Sequence, residues 1–303
     1  MQVHMQDKMR HPNLRHATCG IIILYNPDIP LLLKNIAGSS AQVERLYLID
    51  NTENNDRYAE TLQTIANVSH LTLGRNTGIA HALNEGCRLA LEAGFKWAVT
   101  LDQDSVLPAG YIDACSRFLE NKACHRIGIA GVAWNAQDCT EIQEAKRVFR
   151  VITSGSLTNL TAWKAIGGFR NELFIDCVDT EFCLNLLKND YEVWQLPYIC
   201  LEHRLGNDTS EVRVAGRHLC YATHHHATRY YYMTRNNLYV SELYRNIFPQ
   251  HAKVLRKEVR NIIVKILLFE KEKQSKISSV WQGIRDYRYH ITGPITDKTP
   301  TTA

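Results

Sequence analysis

The stretch Lys96-Trp97-Ala98-Val99-Thr100-Leu101-Asp102-Gln103-Asp104-Ser105 decides the fold. Its apolar part is typical of a strand covered on both faces, as in a parallel sheet. Residues two apart in an extended chain point the same way, so Asp102 and Asp104 bring two negative charges together at the strand's carboxyl end. Open α/β sheets bind ligands at that end, and Mg²⁺ binds one or two carboxylates with water and phosphate oxygens. Asp also favours turns without any ligand, so this pair alone does not indicate a cation site. Other residues near it must support that interpretation.

The composition indicates an ordinary globular protein. A chain of 303 residues suits one large α/β domain or a domain with an appendage. No stretch approaches the roughly 20 apolar residues of a membrane span, and the first 17 residues lack the apolar core of a secretory signal. The nine cysteines include no Cys-x-x-Cys pair, which argues against a disulfide framework and a structural zinc site. We therefore expect reduced thiols and a cytoplasmic protein.

The positive charge is concentrated at the carboxyl end of the chain. The formal net charge is +4, whereas residues from Gln250 onward contain 11 Lys and Arg against 5 Asp and Glu, a balance of +6. The rest of the chain is slightly acidic, which argues against a nucleic-acid partner.

Strand-like and helix-like segments alternate along the chain. The predicted strands are 18–25, 43–49, 71–73, 97–101, 127–134, 150–153 and 191–197, and the predicted helices are 31–37, 58–66, 81–93, 108–119 and 160–166. Residues 137–145 are polar and predict a loop. Short connections between alternating strands and helices predict a largely parallel, doubly wound α/β sheet.

Three of the predicted strands end in short polar loops that should meet at one edge of the sheet, which indicates a nucleotide site. Tyr25 can lie against a base, and Asp50 can accept a hydrogen bond from a pyrimidine N–H. An Asx-turn is an equally good explanation of Asp50. Arg75 precedes a glycine-bearing turn into a helix, a position that suits an anion, although it also suits a solvated arginine. The chain has no Gly-x-Gly-x-x-Gly fingerprint and no P-loop.

The second half of the chain adds candidate residues, each with a simpler structural alternative. Gly155, which follows Ser154, allows a ligand to approach the backbone closely or forms a plain turn. Asp179 precedes an amphipathic helix and suits an N-cap. Its carboxylate also lies near Asp176 and Glu181 in the sequence, and crowded acids raise one another's pKa toward that of a general base.

Three further residues can meet the phosphates or the metal ion of a ligand. His203 can bind a metal or contact a diphosphate, although a structural function is the usual one for a lone histidine. Arg229 and Arg235 can clamp phosphates, or they can form an arginine pair on a helix packed over the sheet.

The carboxyl-terminal part predicts a basic amphipathic helix. Leu255, Val259, Ile262, Ile263 and Ile266 recur at helical spacing, and basic residues occupy the polar side. Such a helix can lie on an anionic membrane surface, or it can pack on its own domain or on a partner chain. We therefore divide the chain into a main domain, 1–245, and a helical extension, 246–303.

Several segments, in this order along the chain, carry a resemblance to a known family. They are Leu24-Tyr25-Asn26-Pro27, Ile49-Asp50-Asn51-Thr52, Asn76-Thr77-Gly78-Ile79-Ala80-His81-Ala82-Leu83-Asn84, Leu101-Asp102-Gln103-Asp104-Ser105, Gly167-Gly168-Phe169, Phe174-Ile175-Asp176-Cys177-Val178-Asp179-Thr180-Glu181-Phe182-Cys183, Glu202-His203 and Arg229-Tyr230-Tyr231-Tyr232 with Arg235-Asn236. With these segments the chain resembles the inverting GT-A glycosyltransferases of family 2, and among them the bacterial rhamnosyltransferases of surface-polysaccharide assembly.

The resemblance implies a GT-A fold and a set of functional residues. Asp179 corresponds to the catalytic base, with Asp176 as the other candidate. Asp102 and Asp104, with His203, correspond to the residues that hold Mg²⁺ or Mn²⁺ against the donor diphosphate. The donor nucleotide and sugar would be bound by Tyr25, Asn26, Asp50, Arg75, Asn76, Gly78, Asp102, Ser154, Gly155, Arg229 and Arg235.

The resemblance also implies a reaction. The base removes a proton from an acceptor hydroxyl, whose oxygen displaces the nucleoside diphosphate with inversion. We expect dTDP-L-rhamnose as donor and a saccharide or lipid-linked acceptor, in the cytoplasm or on the inner face of the cell membrane; a homo-oligomer is left open. The alternatives are a family 2 transferase that uses UDP-galactofuranose or UDP-glucose, and a non-catalytic nucleotide-sugar-binding protein. The second alternative rests on Val178, which replaces the Glu that usually precedes the base.

Overall fold

The computed structural model describes residues 14–53, 62, 65–120, 122, 126–133, 139, 144–201, 210–214, 217–222 and 224–295. The strands are β1 (Thr18–Leu24), β2 (Arg45–Asp50), β3 (Val68–Thr72), β4 (Trp97–Asp102), β5 (Ile127–Ala133), β6 (Lys146–Arg147), β7 (Ser156–Asn159), β8 (Glu192–Cys200), β9 (Ser210–Val214) and β10 (Arg217–Ala222). The helices are α1 (Ile29–Ser40), α2 (Ile79–Glu92), α3 (Tyr111–Glu120), α4 (Leu160–Ala165), α5 (Val178–Lys188), α6 (Ala227–Tyr244), α7 (Pro249–Phe269) and α8 (Lys273–Arg288), with a short 3-10 turn at Asn171–Leu173.

One eight-stranded sheet forms the centre of the protein. Its strand order is β3-β2-β1-β4-β7-β5-β8-β6, and β9 and β10 pair separately as a hairpin. Strands β3, β2, β1 and β4 run parallel, as do β5 and β8. Strand β7 runs antiparallel to both of its neighbours, and β6 runs antiparallel to β8. The predicted doubly wound, mostly parallel sheet is therefore confirmed.

The sheet buries both of its faces, because apolar residues on its central strands point to both sides of it. In β1, Ile22 and Leu24 belong to one hydrophobic cluster, whereas Ile21 and Ile23 belong to the other. The first cluster includes buried residues of α1 and α3, and the second includes residues of α2, α5 and α6. This two-sided burial is the physical reason for the continuous apolar runs in the sequence.

The register of the sheet brings the polar strand ends together. Leu24 of β1 pairs with Asp50 of β2, and Ile23 pairs with Asp102 of β4. Since neighbouring strands lie about 4.8 Å apart, the ends of β2 and β4 flank the end of β1 at a spacing of roughly 10 Å. The predicted meeting of three polar strand ends at one sheet edge is therefore confirmed.

The predicted strand at 150–153 is wrong. These residues form the turn that leads into β7, which begins only at Ser156. The Thr100 hydroxyl donates to the carbonyl of Thr153 at 2.6 Å, and the N–H of Gly155 donates to the carbonyl of Thr100 at 2.8 Å. Gly155 has a φ of +74°, which lets the chain reverse before it runs antiparallel to β4.

The carboxyl-terminal helices pack on the rest of the protein. Leu255, Val259, Ile262 and Ile266 of α7 are buried, so the apolar stripe predicted there faces the protein itself. Leu255 joins the same hydrophobic cluster as the sheet. Within the described part of the chain, no helix is both long and apolar enough to cross a lipid bilayer.

The cysteines differ from the prediction at one place. Cys139 and Cys200 form a disulfide in the structure, across 61 residues of sequence, so the expectation that all nine cysteines are reduced is wrong for this pair. Cysteine spacing alone did not indicate this pair, because Cys200 ends β8 and the sequence gives no sign of which loop approaches it. The predicted helix at 58–66 and the loop at 137–145 lie largely outside the described residues.

Candidate functional site

The end of β1 presents an exposed aromatic ring. Tyr25 is 48% exposed, and its backbone exchanges two hydrogen bonds with the side chain of Gln103, at 2.8 and 3.2 Å. The neighbouring Asn26 has a left-handed backbone with a φ of +46°, and its N–H donates to the hydroxyl of Thr52 at 2.9 Å. Gln103, which the sequence analysis did not single out, therefore fixes Tyr25 at the mouth of the sheet edge.

Asp50 lies buried at the end of β2. Its carboxylate accepts the N–H of Thr52 at 2.9 Å, which is the Asx-turn considered above. The other oxygen lies 3.3 Å from Nε2 of His70, whose side chain is also buried. Both carboxylate oxygens thus have protein partners, and the side chain is fully buried.

The loop before α2 is held by side-chain amides. Asn51 accepts from the N–H and the hydroxyl of Thr77 at 2.7 and 2.9 Å, and it donates to Asn76 at 3.1 Å. Asn76 in turn accepts the N–H of Gly78 at 3.0 Å. Arg75 is exposed beside this loop. The sequence signal for Asn51 was its place in the Asp50-Asn51-Thr52 turn.

Two serines and an asparagine hold the turn after β4. The N–H of Asp102 donates to the hydroxyl of Ser154 at 3.0 Å, and that hydroxyl donates to Ser105 at 3.0 Å. The side chain of Asn35 donates to the carbonyl of Asp102 at 2.9 Å. Ser154 is only 2% exposed, so its hydroxyl shapes the turn that carries Asp102 and Asp104.

The residues of this turn fit a hard divalent cation. Asp102 and Asp104 are both partly exposed at the carboxyl end of β4, and their oxygens are the donors that Mg²⁺ and Mn²⁺ prefer. Asp104 has no hydrogen bond or ion pair with any residue described. No group of three or more His, Cys, Asp or Glu side chains in the described part of the chain forms a complete metal cage. A cation here would therefore need ligand phosphates and water, as Mg²⁺ sites usually do.

The segment before α5 has a strained backbone. Phe174, Asp176 and Cys177 all have positive φ, at +62°, +63° and +62°. Such conformations cost about 1–3 kcal/mol each and persist only where the surroundings impose them. The carbonyl of Phe174 accepts the N–H of Ile79 at 2.7 Å, which ties this segment to the loop before α2.

Asp179 is placed in the first turn of α5, not before it. Cys177 occupies the N-cap position, so the predicted N-cap function of Asp179 is wrong. Its Oδ1 accepts the N–H of Thr180 at 2.7 Å. Burial raises the pKa of Asp179, and the charge of Arg150 and the Thr180 hydrogen bond offset part of that rise.

Asp176, unlike Asp179, forms an ion pair with an arginine of α6. Its Oδ1 lies 3.3 Å from the guanidinium of Arg229, whereas its Oδ2 is buried without a hydrogen-bond partner among the described residues. Burial raises the pKa of Asp176, and Arg229 opposes the shift. Arg229 is 45% exposed and is thus partly engaged with this carboxylate.

Arg235 cannot clamp a phosphate, because it is 1% exposed. Its guanidinium donates to the hydroxyl of Tyr231 and to the backbone carbonyls of Gly293, Glu172 and Leu173, at 2.7 to 3.4 Å. The structural alternative for Arg235 is therefore the correct one. His203, the third predicted metal ligand, lies outside the described residues.

Glu181, the remaining acid of this group, is buried and has a structural function. It accepts from Arg170 at 2.8 Å and from the hydroxyl of Tyr244 at 2.9 Å, and so joins α5 to α6. Such a buried, paired carboxylate is not available to a substrate.

Comparison with known proteins agrees with the resemblance read from the sequence. Residues 20–157 match the family described as Glycosyl transferase family 2. The dTDP-rhamnosyl transferase RfbF of Shigella flexneri is 29% identical over 234 residues, which span 72% of this chain and 77% of that protein. Over residues 20–157 the chain is therefore similar to the family 2 glycosyltransferases. The matching segment contains Tyr25, Asp50, Asp102 and Asp104, whereas Asp179 follows it.

Solved structures show the same fold. TarS of S. aureus, residues 1–349 in complex with UDP-GlcNAc, has a TM-score of 0.57 at 14% identity and covers 90% of this chain and 82% of its own. GalNAc-T7 with UDP, GalNAc and Mn²⁺ has a TM-score of 0.51 at 13% identity, covering 66% of this chain and 44% of its own. The GT-A fold predicted from the sequence is therefore confirmed.

Proposed function

We propose that this chain is an inverting glycosyltransferase that transfers L-rhamnose from dTDP-L-rhamnose to a saccharide or lipid-linked acceptor in surface-polysaccharide synthesis. The similarity to RfbF supports this donor. The observation that carries the proposal is the meeting of Tyr25, Asp50 and Asp102 at one sheet edge, inside the segment that matches the family.

The donor nucleotide would lie across the ends of β1, β2 and β4. Tyr25 offers its exposed ring to the base, and Asp50, at the end of β2, is the residue that we expect to accept a pyrimidine N–H. Arg75, Asn76 and Gly78 would support the nucleotide from the loop before α2, next to Asn26. Ser154 and Gly155 support the donor indirectly, because they shape the turn that carries Asp102.

Asp102 and Asp104 would hold Mg²⁺ or Mn²⁺, with His203 as a further candidate ligand. When bound, the cation stabilises the negative charge that develops on the leaving diphosphate. GalNAc-T7, which shares the fold, is described with Mn²⁺.

Asp179 would act as the base. It accepts the proton of the acceptor hydroxyl, while the acceptor oxygen forms its bond to the anomeric carbon and the bond from that carbon to the diphosphate breaks, releasing dTDP. A pKa raised by burial suits a group that must accept a proton, and a positioned base contributes typically 10²–10⁴-fold. Asp176 is the weaker candidate, because its Oδ1 already forms an ion pair with Arg229.

The test combines binding with turnover. Purified protein should bind dTDP in the presence of Mn²⁺ and should release dTDP from dTDP-rhamnose. Asp104→Asn should weaken dTDP binding, and Asp179→Asn should preserve binding while turnover falls about 10²-fold or more. A wild-type protein that binds dTDP but turns over neither dTDP-rhamnose, UDP-galactofuranose nor UDP-glucose would favour the non-catalytic alternative.

The membrane surface is the proposed meeting place with a lipid-linked acceptor. Leu267 and Leu268, near the end of α7, are 53% and 61% exposed, and Lys265 and Lys271 are exposed beside them. Apolar side chains among lysines are what an interfacial helix presents to anionic lipid. This supports a peripheral position on the inner face of the cell membrane.

A further inference from the structure

A cavity of about 550 Å³ lies between the start of α5 and the helix α7. Asp176 and Asp179 line it on one side, and Phe149 and Arg150 come from the segment that leads toward β7. The helix α7 closes the opposite side with His251, Val254 and Glu258, among other residues. This volume is typical of a small-molecule site.

The chain connects this cavity closely to the donor edge. Arg150 lines the cavity, and Ser154, four residues later, accepts the N–H of Asp102. Four residues span at most about 14 Å, so the backbone of Arg150 lies within that distance of Ser154, which is bonded to the turn that carries the proposed cation ligands. The segment from Arg150 to Ser154 thus connects the cavity to the turn at the sheet edge.

The charges of the cavity favour a neutral ligand. Three carboxylates, Asp176, Asp179 and Glu258, face it against Arg150, and Arg229 is already paired with Asp176. An excess of acidic groups repels phosphates, whereas carboxylate oxygens accept hydrogen bonds from hydroxyl groups. A molecule rich in hydroxyl groups and without phosphate fits these charges.

The other side of the cavity offers an apolar surface. The rings of Phe149 and His251 lie 3.8 Å apart between centroids at an angle of 31°, and Val254 continues this surface along α7. Burial lowers the pKa of His251, which keeps its ring neutral near pH 7. A sugar ring has both an apolar C–H face and a hydroxyl rim, and so matches both sides of the cavity.

We infer that this cavity binds the acceptor saccharide and that α7, from the carboxyl-terminal extension, forms the specificity wall of that site. The inference rests on the proposed function and names the substrate class on its acceptor side. It gives the extension a function in the reaction that is independent of any membrane contact.

The test uses two substitutions on the same helix. Val254 is 54% exposed and lines the cavity, whereas Val264 is 52% exposed and does not. Val254→Trp should fill the cavity without disturbing the core, and Val264→Trp serves as the matched control. Saturation-transfer NMR would measure contact with the methyl glycosides of glucose, galactose, N-acetylglucosamine and rhamnose, with dTDP and Mn²⁺ present.

The wild type and Val264→Trp should contact at least one glycoside, and Val254→Trp should reduce that signal at least tenfold while its affinity for dTDP is unchanged. Equal signals in the two variants, displacement of the glycoside by inorganic phosphate, or no glycoside contact in a wild type that binds dTDP would overturn the inference. A wild type that does not bind dTDP would instead contradict the proposed function.

Discussion

The Asp179 carboxylate is buried, although the proposed reaction requires it to be charged. The protein buries the group, which raises its pKa and makes the charged form unfavourable, although a base must be charged to accept a proton. A group whose pKa is higher in the folded state than in the unfolded state lowers stability as the pH rises from the unfolded value, near 3.9, through the folded one. At neutral pH the charged Asp179 therefore costs stability.

Asp179→Asn should stabilise the protein at neutral pH and inactivate it. The amide oxygen can keep the hydrogen bond from Thr180, but it carries no charge to desolvate. We expect a melting temperature above that of the wild type at pH 7 and a difference that shrinks as the pH falls toward 3.9, measured by thermal denaturation across this range. A variant that is less stable than the wild type at pH 7 would contradict this prediction. It would show that interactions of the charged Asp179 carboxylate outweigh its desolvation cost.

Gly78 lies where the loop before α2 contacts the strained segment before α5. Its φ is +84°, and a Cβ there would lie 2.6 Å from the carbonyl oxygen of Phe174. Gly78→Ala should therefore push the loop before α2 away from the strained segment and should weaken dTDP binding. Gly74→Ala is the control, because Gly74 has a φ of +72° but no atom within 4 Å of its Cβ position.

Both substitutions cost backbone strain of about 1–3 kcal/mol, so the difference between them measures the clash. Urea denaturation should show a larger loss of stability for Gly78→Ala than for Gly74→Ala, and calorimetry should show weaker dTDP binding for Gly78→Ala alone. Equal losses in both variants would mean that Phe174 moves aside freely.

The helix α6 supports the strained segment from behind. Asn236 donates to three backbone carbonyls, those of Leu173, Ile175 and Asp176, at 2.7 to 3.1 Å. The neighbouring Arg235 donates to the carbonyls of Glu172 and Gly293. The positive φ angles between 174 and 177 are thus imposed by an arginine and an asparagine of one helix.

Asn236→Ala should release this segment. Each buried hydrogen bond contributes about 1 kcal/mol, and an unsatisfied carbonyl costs more. We expect hydrogen exchange in residues 171–179 to increase and kcat to fall at least tenfold, while the affinity for dTDP stays the same. The expected split between kcat and nucleotide binding identifies a positioning function for Asn236.

Ser241→Ala is the matched control for this prediction. Ser241 is buried on the same helix and bonds to Ala252 and Arg256 of α7, away from the strained segment. It should lower stability by a similar amount without changing exchange in 171–179. If kcat falls equally in both variants at equal stability, the lower kcat results from the lower stability, and Asn236 has no positioning function.

The sequence predicted the sheet and the donor edge because both depend on local patterns. Continuous apolar runs predict strands buried on both faces, and the Asp residues that follow them come to one edge by topology alone. The strand at 150–153 was misplaced because Val151 and Ile152 are apolar, yet hydrogen bonds to Thr100 hold this stretch as a turn. The local sequence does not predict that contact with Thr100.

The site residues show the same limit. From the sequence, Arg235 could be a phosphate ligand. Its burial could not be predicted, because its hydrogen-bond partners lie more than 50 residues away in the chain. The cavity beside Asp179 is likewise a product of tertiary packing, because α7 reaches it from the far end of the chain. Functional sites built from distant segments are therefore only partly predictable from motifs.

The protein as a whole separates its charges. Residues from Gln250 onward carry a charge balance of +6, and the rest of the chain carries the aspartates of the two proposed sites. Within α7, Leu267 lies 18 residues after Pro249, which places it roughly 27 Å along the helix axis from its start. One end of α7 thus lines the acceptor cavity, while the other presents apolar and basic side chains to solvent.

This arrangement suits an enzyme that works next to a bilayer, and it can be tested by flotation with liposomes. The double variant Leu267→Asp, Leu268→Asp should lose binding to liposomes that contain anionic lipid, because it removes exposed apolar area and adds two negative charges. Each basic residue near an anionic surface contributes about 1 kcal/mol, so wild-type binding should also weaken as salt increases. Ile247→Asp, at a residue that is 46% exposed before the start of α7, is the control and should float like the wild type. Equal flotation of all three proteins, or equal binding to neutral and anionic liposomes, would leave α7 with its function at the cavity and none at the membrane.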